Sequence, residues 1–253
     1  MAELIKTEGL TKKFDQVVAV DSVDLVMDSS LINGVIGPNG SGKTTLFNLF
    51  SGLFPPTEGK IHFFGQDIST STPQQRVHLG MGRTFQLVSV FSTLSVWENL
   101  VLSTCHRESD LNFKDFYFAD NESGIIYERC LEALEKVGLA DKSSILTSEL
   151  SYGDKRLLEI GMALSLEPKV LFLDEPFSGL SDVEIDFVLK LLNDLKTSLP
   201  IVIIEHKISK IIDLVEHLYV LREGALIVEG NPREVIDDPL VHECYWGKGV
   251  IKC

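Results

Sequence analysis

The chain has 253 residues, 44% of them hydrophobic, and a formal net charge of −14 at pH 7. That length suits one large domain or one core with a subdomain, and the composition is ample for a core. The acidic balance argues against non-specific binding to nucleic acid or to an anionic lipid surface, and no apolar run is long enough to suggest a membrane span.

In chain order, Met1-Ala2-Glu3-Leu4-Ile5-Lys6 lacks a basic stretch followed by an apolar one, so no secretion signal is expected. Cys105, Cys130, Cys244 and Cys253 show no Cys-x-x-Cys pairing, and reduced thiols of a cytosolic protein are expected. Residues 3–27 read as two short strands around a turn, with Val23, Leu25 and Met27 alternating with more polar positions. Phe14 stands in Lys12-Lys13-Phe14-Asp15, where an aromatic either joins the core or stacks on an adenine face.

Leu31 to Ile36 is a short, mostly apolar strand, and Thr45 to Phe50 reads as a helix. Between them Gly37-Pro38-Asn39-Gly40-Ser41-Gly42-Lys43-Thr44, followed by Thr45, fits G-x-x-x-x-G-K-[ST], a phosphate-binding P-loop. The chemistry explains the residue types. Glycines let backbone N–H groups curl around an anion, and the helix start adds its positive dipole end. Lys43 is expected to reach the β- and γ-phosphates, and the Thr44 hydroxyl to ligate Mg²⁺.

Pro55 to Lys60 is a turn cluster and Ile61 to Gly65 a strand, so β pieces flank the P-loop unit and point to a small, mainly antiparallel layer beside an α/β core. Met81 to Gln86 reads as a strand end, where the Gln86 carbonyl is either a surface amide or a Mg²⁺ or water ligand. From Ser95 to Leu166 the pattern is helical, with a helix expected from Glu128 to Val137, a stop at Gly138, and a polar excursion at 105–123. This part reads as a helical subdomain inserted into the core. Ser151 and Gly153 open the next helix, as an ordinary N-cap or as an anion contact.

Val170 to Leu173 suits a buried parallel strand that ends in Asp174-Glu175-Pro176. Acids at such a strand end lie where open α/β sheets bind ligands. Asp174 is expected to hold Mg²⁺, and Glu175 to polarise an attacking water. A second buried strand, Ile201 to Ile204, delivers Glu205 and His206, and the histidine is either structural or a γ-phosphate contact. Residues 218–230 form a hairpin around Arg222-Glu223-Gly224, and a tail at 231–253 begins with Asn231-Pro232.

Taken in this order, the P-loop, Gln86, Leu150-Ser151-Tyr152-Gly153-Asp154, Asp174-Glu175 and His206 resemble an ATPase subunit of an ABC transporter over nearly the whole chain. Gly82-Arg83-Thr84-Phe85-Gln86, Ser151-Tyr152-Gly153, Ile204-Glu205-His206 and Asp238-Pro239-Leu240-Val241 look more narrowly like the branched-chain amino-acid import type, whose pattern urea importers share. The resemblance implies an α/β P-loop NTPase core of ABC ATPase type with an antiparallel β subdomain and an inserted helical subdomain, about 87–166. It implies one ABC ATPase domain over 1–253, peripheral on the cytoplasmic face of the inner or plasma membrane. ATP and Mg²⁺ would be the cofactors. The partners would be transmembrane permease subunits, a second ATPase subunit in a homo- or heterodimer, and indirectly a periplasmic or extracellular solute-binding protein, with no nucleic acid.

It further implies that Phe14, Gly37 to Thr45 and Gln86 hold the nucleotide and its metal. Ser151 and Gly153 would complete the site of a partner copy placed head to tail, with Glu175, His206 and Lys43 catalytic, and Thr44, Gln86 and Asp174 the metal ligands. Three positions depart from the family pattern: Tyr152 for a second glycine, Asp154 for Gln or Glu, and Ser181 for Asp or Asn. Asp154 is expected to weaken dimer closure by repelling phosphate. Competing readings are a soluble ABC protein acting on ribosomes or DNA, and a P-loop kinase or GTPase. The latter leaves Ser151-Tyr152-Gly153 and His206 unexplained.

Overall fold

A computed structural model describes residues 3–85, 88–105, 122–206 and 208–246. The strands are β1 (Glu3–Phe14), β2 (Val17–Asp28), β3 (Ile32–Ile36), β4 (Glu58–Phe63), β5 (Gln66–Asp67), β6 (Met81–Arg83), β7 (Val170–Asp174), β8 (Ile201–Ile204), β9 (His217–Arg222) and β10 (Ala225–Gly230). The helices are α1 (Lys43–Phe50), α2 (Pro73–His78), α3 (Val96–Cys105), α4 (Glu122–Lys136), α5 (Tyr152–Ser165), α6 (Asp182–Leu195), α7 (Ile208–Ile211), α8 (Pro232–Ile236) and α9 (Pro239–Trp246). Four strands make a sheet in the order β2-β1-β4-β5, and six make another in the order β10-β9-β3-β8-β7-β6.

The chain divides into two compact units. The first holds residues 1–76, 172–175 and 200–253, the second 77–171 and 176–199. In the first unit β1 pairs antiparallel with both β2 and β4. Val23, Leu25 and Met27 are buried while Asp24 and Val26 are exposed, the alternation of a strand with one wet face. β3 is buried along its whole length and pairs in parallel with β8 on one side and β9 on the other. That arrangement accounts for its apolar run and puts the P-loop at the C-terminal end of a central strand. Under it α1 sends Phe47 and Phe50 against Phe172 of β7, ring centroids 5.4 and 6.1 Å away.

The second unit is mainly helical. Val96, Leu100, Cys130, Leu134, Val137, Leu158, Val188 and Leu192 are all fully buried in it. Two buried polar clusters hold it together. Asn99 donates to Phe91 O, Ser95 O and Thr147 Oγ1 and accepts the Phe91 N–H at 2.8 Å. Arg156 meets Glu159 at 2.7 Å, and Glu159 also accepts the Phe85 N–H at 2.8 Å. Burial still pushes the Glu159 carboxyl up from its ordinary value, against those hydrogen bonds and the Arg156 charge.

Three sequence expectations are adjusted. β1 and β2 are twelve residues each, longer than the two short strands expected, because bulges let the ladder continue where strict alternation fails. The strand expected at Met81 to Gln86 ends at Arg83, and the helix expected from Glu128 begins at Glu122.

Candidate functional site

The P-loop leaves β3 and closes on the first turn of α1. Gly37 and Gly42 are where only glycine fits. A Cβ on Gly37 would lie 2.2 Å from Leu221 O, and one on Gly42, whose φ is +100°, would lie 2.4 Å from Ala19 O. The loop is thus pressed between the β2 strand and the β9–β10 turn, where the Gly224 N–H also donates to Ser41 O at 3.1 Å. Lys43 is buried and folds back over the loop, donating to Gly37 O at 2.8 Å and Pro38 O at 3.0 Å. Burial lowers its pKa, opposed by the Glu175 and Asp174 carboxylates nearby. The Ser41 hydroxyl is buried with no hydrogen-bond partner among the described residues. A buried orphan hydroxyl, an ammonium and a helix start with no side-chain cap all want an anion, and the loop fits a polyphosphate.

Asp174 ends β7 almost wholly buried. Glu175 follows with φ +49°, a left-handed conformation that a non-glycine residue adopts at a cost and that recurs at functional sites. Its N–H donates to Ile204 O at 3.0 Å, which ties the acid to the end of β8. From β8 comes His206, with Nδ1 3.8 Å from Glu175 Oε1 and 3.9 Å from Glu205 Oε2. The structure therefore brings Lys43, Asp174, Glu175 and His206 together within the first unit. Among the described residues no cluster of three or more His, Cys, Asp and Glu forms a metal cage. The Thr44 hydroxyl and the Asp174 carboxylate are hard oxygen donors of the kind that hold Mg²⁺ beside phosphates, which needs only one or two carboxylates.

Phe14 is 38% exposed and stands at the end of the β1–β2 hairpin. It packs edge-on against Phe54 at 5.2 Å and carries Lys12 Nζ over its ring at 5.1 Å. Its cross-strand partner Val17 lies two residues before Ala19, the residue pressed on Gly42. Gln86 lies outside the described residues.

In the second unit Ser151 caps α5 by accepting the Asp154 N–H at 3.0 Å. A Cβ on Gly153 would fall 1.8 Å from Glu184 Oε1, so any larger residue there would displace the Glu184 side chain. Asp154, expected to repel phosphate, is paired within its own unit: Lys142 Nζ donates to both of its oxygens at 2.8 Å. Ser181 is the N-cap of α6 within a full capping box with Glu184. Sequence reading also missed Arg222, Glu223, Glu243 and Cys244, which with Pro38 to Ser41 line an open pocket of about 290 Å³. Only the Arg222-Glu223-Gly224 turn carried a signal, as a hairpin. Lys142 carried none.

Residues 20–178 match the ABC transporter family. The chain is 32% identical to the high-affinity branched-chain amino acid transport ATP-binding protein BraF of Pseudomonas aeruginosa, over 97% of this chain and 98% of that one. It is 33% identical, with the same coverage, to the probable branched-chain amino acid transport ATP-binding protein LivG of Methanocaldococcus jannaschii. Among solved structures it superposes on the ADP conformation of an ATP-binding cassette of an ABC transporter with a TM-score of 0.85 and 33% identity, covering 98% of this chain and 100% of that one. A nucleotide-free cassette gives a TM-score of 0.84 at 30% identity, covering 97% and 100%.

Proposed function

Because this chain belongs to the ABC transporter family, we propose that it is the ATP-hydrolysing subunit of a membrane importer for branched-chain amino acids or related small polar solutes. The observation that carries the reading is the meeting of a polyphosphate cradle with Asp174, Glu175 and His206 at the ends of β3, β7 and β8. The branched-chain transport names of BraF and LivG support the cargo class, and the ADP-bound cassette supports the nucleotide.

In this reading the P-loop N–H groups and Lys43 hold the phosphates, and Phe14 offers its exposed ring to the adenine. Thr44, Asp174 and Gln86 hold Mg²⁺, which would neutralise phosphate charge. Glu175 accepts a proton from the attacking water, and His206 contacts the γ-phosphate. Ser151 and Gly153 close on the nucleotide of a second ATPase subunit, so ATP biases a two-state gate and hydrolysis with phosphate release reopens it. The whole chain acts as one ABC ATPase domain at the cytoplasmic face of the membrane. Its helical part, about 87–166, grips a permease subunit, and a solute-binding protein delivers the cargo. Among the described residues no helix is long and apolar enough to cross a membrane.

The test is light scattering of Glu175→Gln and the unmutated chain with ATP and Mg²⁺. The variant is expected to lose hydrolysis by about 10²- to 10⁴-fold, the range for removing a general base, and to accumulate as an ATP-dependent dimer. Loss of ATP binding, or co-sedimentation with ribosomes or DNA in place of permease subunits, would overturn the reading.

A further inference from the structure

We propose that Lys142 is a positioning residue for the ATP-closed dimer: its ammonium cancels the Asp154 charge, so that the start of α5 still presents a positive end to a partner's nucleotide. The inference rests on the dimer described under the proposed function.

Asp154 lies in the first turn of α5, beside the Ser151 hydroxyl that caps it. A helix start carries only about half an elementary charge. A bare carboxylate within that turn outweighs it and turns the local field negative. Lys142, at the end of the 3-10 turn Ala140–Lys142, holds both Asp154 oxygens at 2.8 Å. The pair is partly withdrawn from solvent, with side-chain exposures of 35% and 19%. With the carboxylate matched, the helix end keeps its sign.

Glu184, whose charge bears on Asp154, is engaged elsewhere. Glu184 turns one oxygen toward Gly153, while the other accepts the Ser181 N–H at 2.8 Å and the Ser181 hydroxyl at 2.7 Å. That carboxylate is committed to the start of α6, where it answers that helix's own positive end. Asp154 is therefore the charge at α5 that needs an opposite one. The lysine comes from outside the signature stretch, across the turn that follows α4, which is why the Leu150–Asp154 pattern alone reads as a defect.

The experiment uses the full chain in the Glu175→Gln background, at one fixed low salt. Lys142→Gln, Lys142→Arg, Asp154→Gln and the Lys142→Gln/Asp154→Gln pair are compared by ATP-dependent light scattering and by titration of the monomer with a fluorescent ATP analogue. Lys142→Gln is expected to weaken dimerisation about fivefold, the scale of one partly exposed charge, with monomer nucleotide affinity unchanged. Lys142→Arg retains dimerisation, Asp154→Gln alone tightens it by freeing the lysine, and the double variant returns to the parent's value. The rescue separates charge compensation from a structural role, which removal of Asp154 would not repair. An unaffected Lys142→Gln, or a double variant as weak as Lys142→Gln, would overturn the inference and leave the function standing. A parent that binds ATP and stays monomeric would overturn the self-paired dimer and this inference together.

Discussion

Arg76 shows how much a single side chain outside the P-loop does for it. Its guanidinium is 1% exposed and donates to the carbonyls of Leu49, Phe50, Ile68 and Ser71. Leu49 and Phe50 end α1, so the cation sits at the negative end of the helix whose positive end carries the phosphate loop. Burial lowers its pKa to about 10, which leaves it charged at neutral pH. Arg76→Met should cost about 3 kcal/mol, since four carbonyls, three of them buried, lose their donor. Arg76→Lys should recover part of that, because an ammonium cannot reproduce the planar fork. Thermal melts decide: a methionine variant within a degree of the parent would refute this account. Nothing in the sequence Thr72-Pro73-Gln74-Gln75-Arg76 marks this role. The P-loop was legible because its chemistry is local, whereas Arg76 reaches the end of α1 through the Leu49 and Phe50 carbonyls, 27 and 26 residues away in the chain.

Helix starts carry the next layer. The family departure at Ser181 resolves into a capping box, in which Ser181 and Glu184 satisfy each other's backbone N–H groups at the head of α6. Ser181→Ala should cost about 1 kcal/mol, and Ser181→Asn, an equally good cap, should cost little. The Ser181 hydroxyl and N–H hold the Glu184 carboxyl below its ordinary value of 4.5. A folded-state pKa below the unfolded one adds stability that is present above the unfolded value and lost as pH falls through the folded one. The gap between parent and Ser181→Ala should therefore narrow on acidification below about pH 4.5 in denaturant titrations; a gap that widens would contradict the box. The spacing Ser181-Asp182-Val183-Glu184 already fits this pattern, so a cap reading was available. The helices were legible from their periodicity and the buried strands from their continuous apolar runs. β1 and β2 were undersized because bulges break the two-residue period that defines a strand in sequence.

For the whole molecule, charge and strand order set the terms. Two copies brought together each carry −14, and their mutual repulsion opposes pairing over tens of ångströms at low salt. ATP-dependent dimerisation of Glu175→Gln should therefore strengthen as salt rises from about 0.02 M to about 0.15 M, where the screening length is about 8 Å. A weakening over that range would mean that local attraction at the interface outweighs the net charge. The order of the large sheet has a different consequence, one of timing. β3 delivers the P-loop early in the chain, yet Ile32 lies opposite Ile201 and Asn33 opposite His217. Synthesis runs from the N-terminus, so the motif leaves the ribosome complete and then waits for the last fifth of the chain before its strand has a neighbour on either side. A nascent chain interrupted before β8 displays every residue of the phosphate loop without a scaffold to shape it, and an aborted product of this kind would not compete with the finished subunit for ATP.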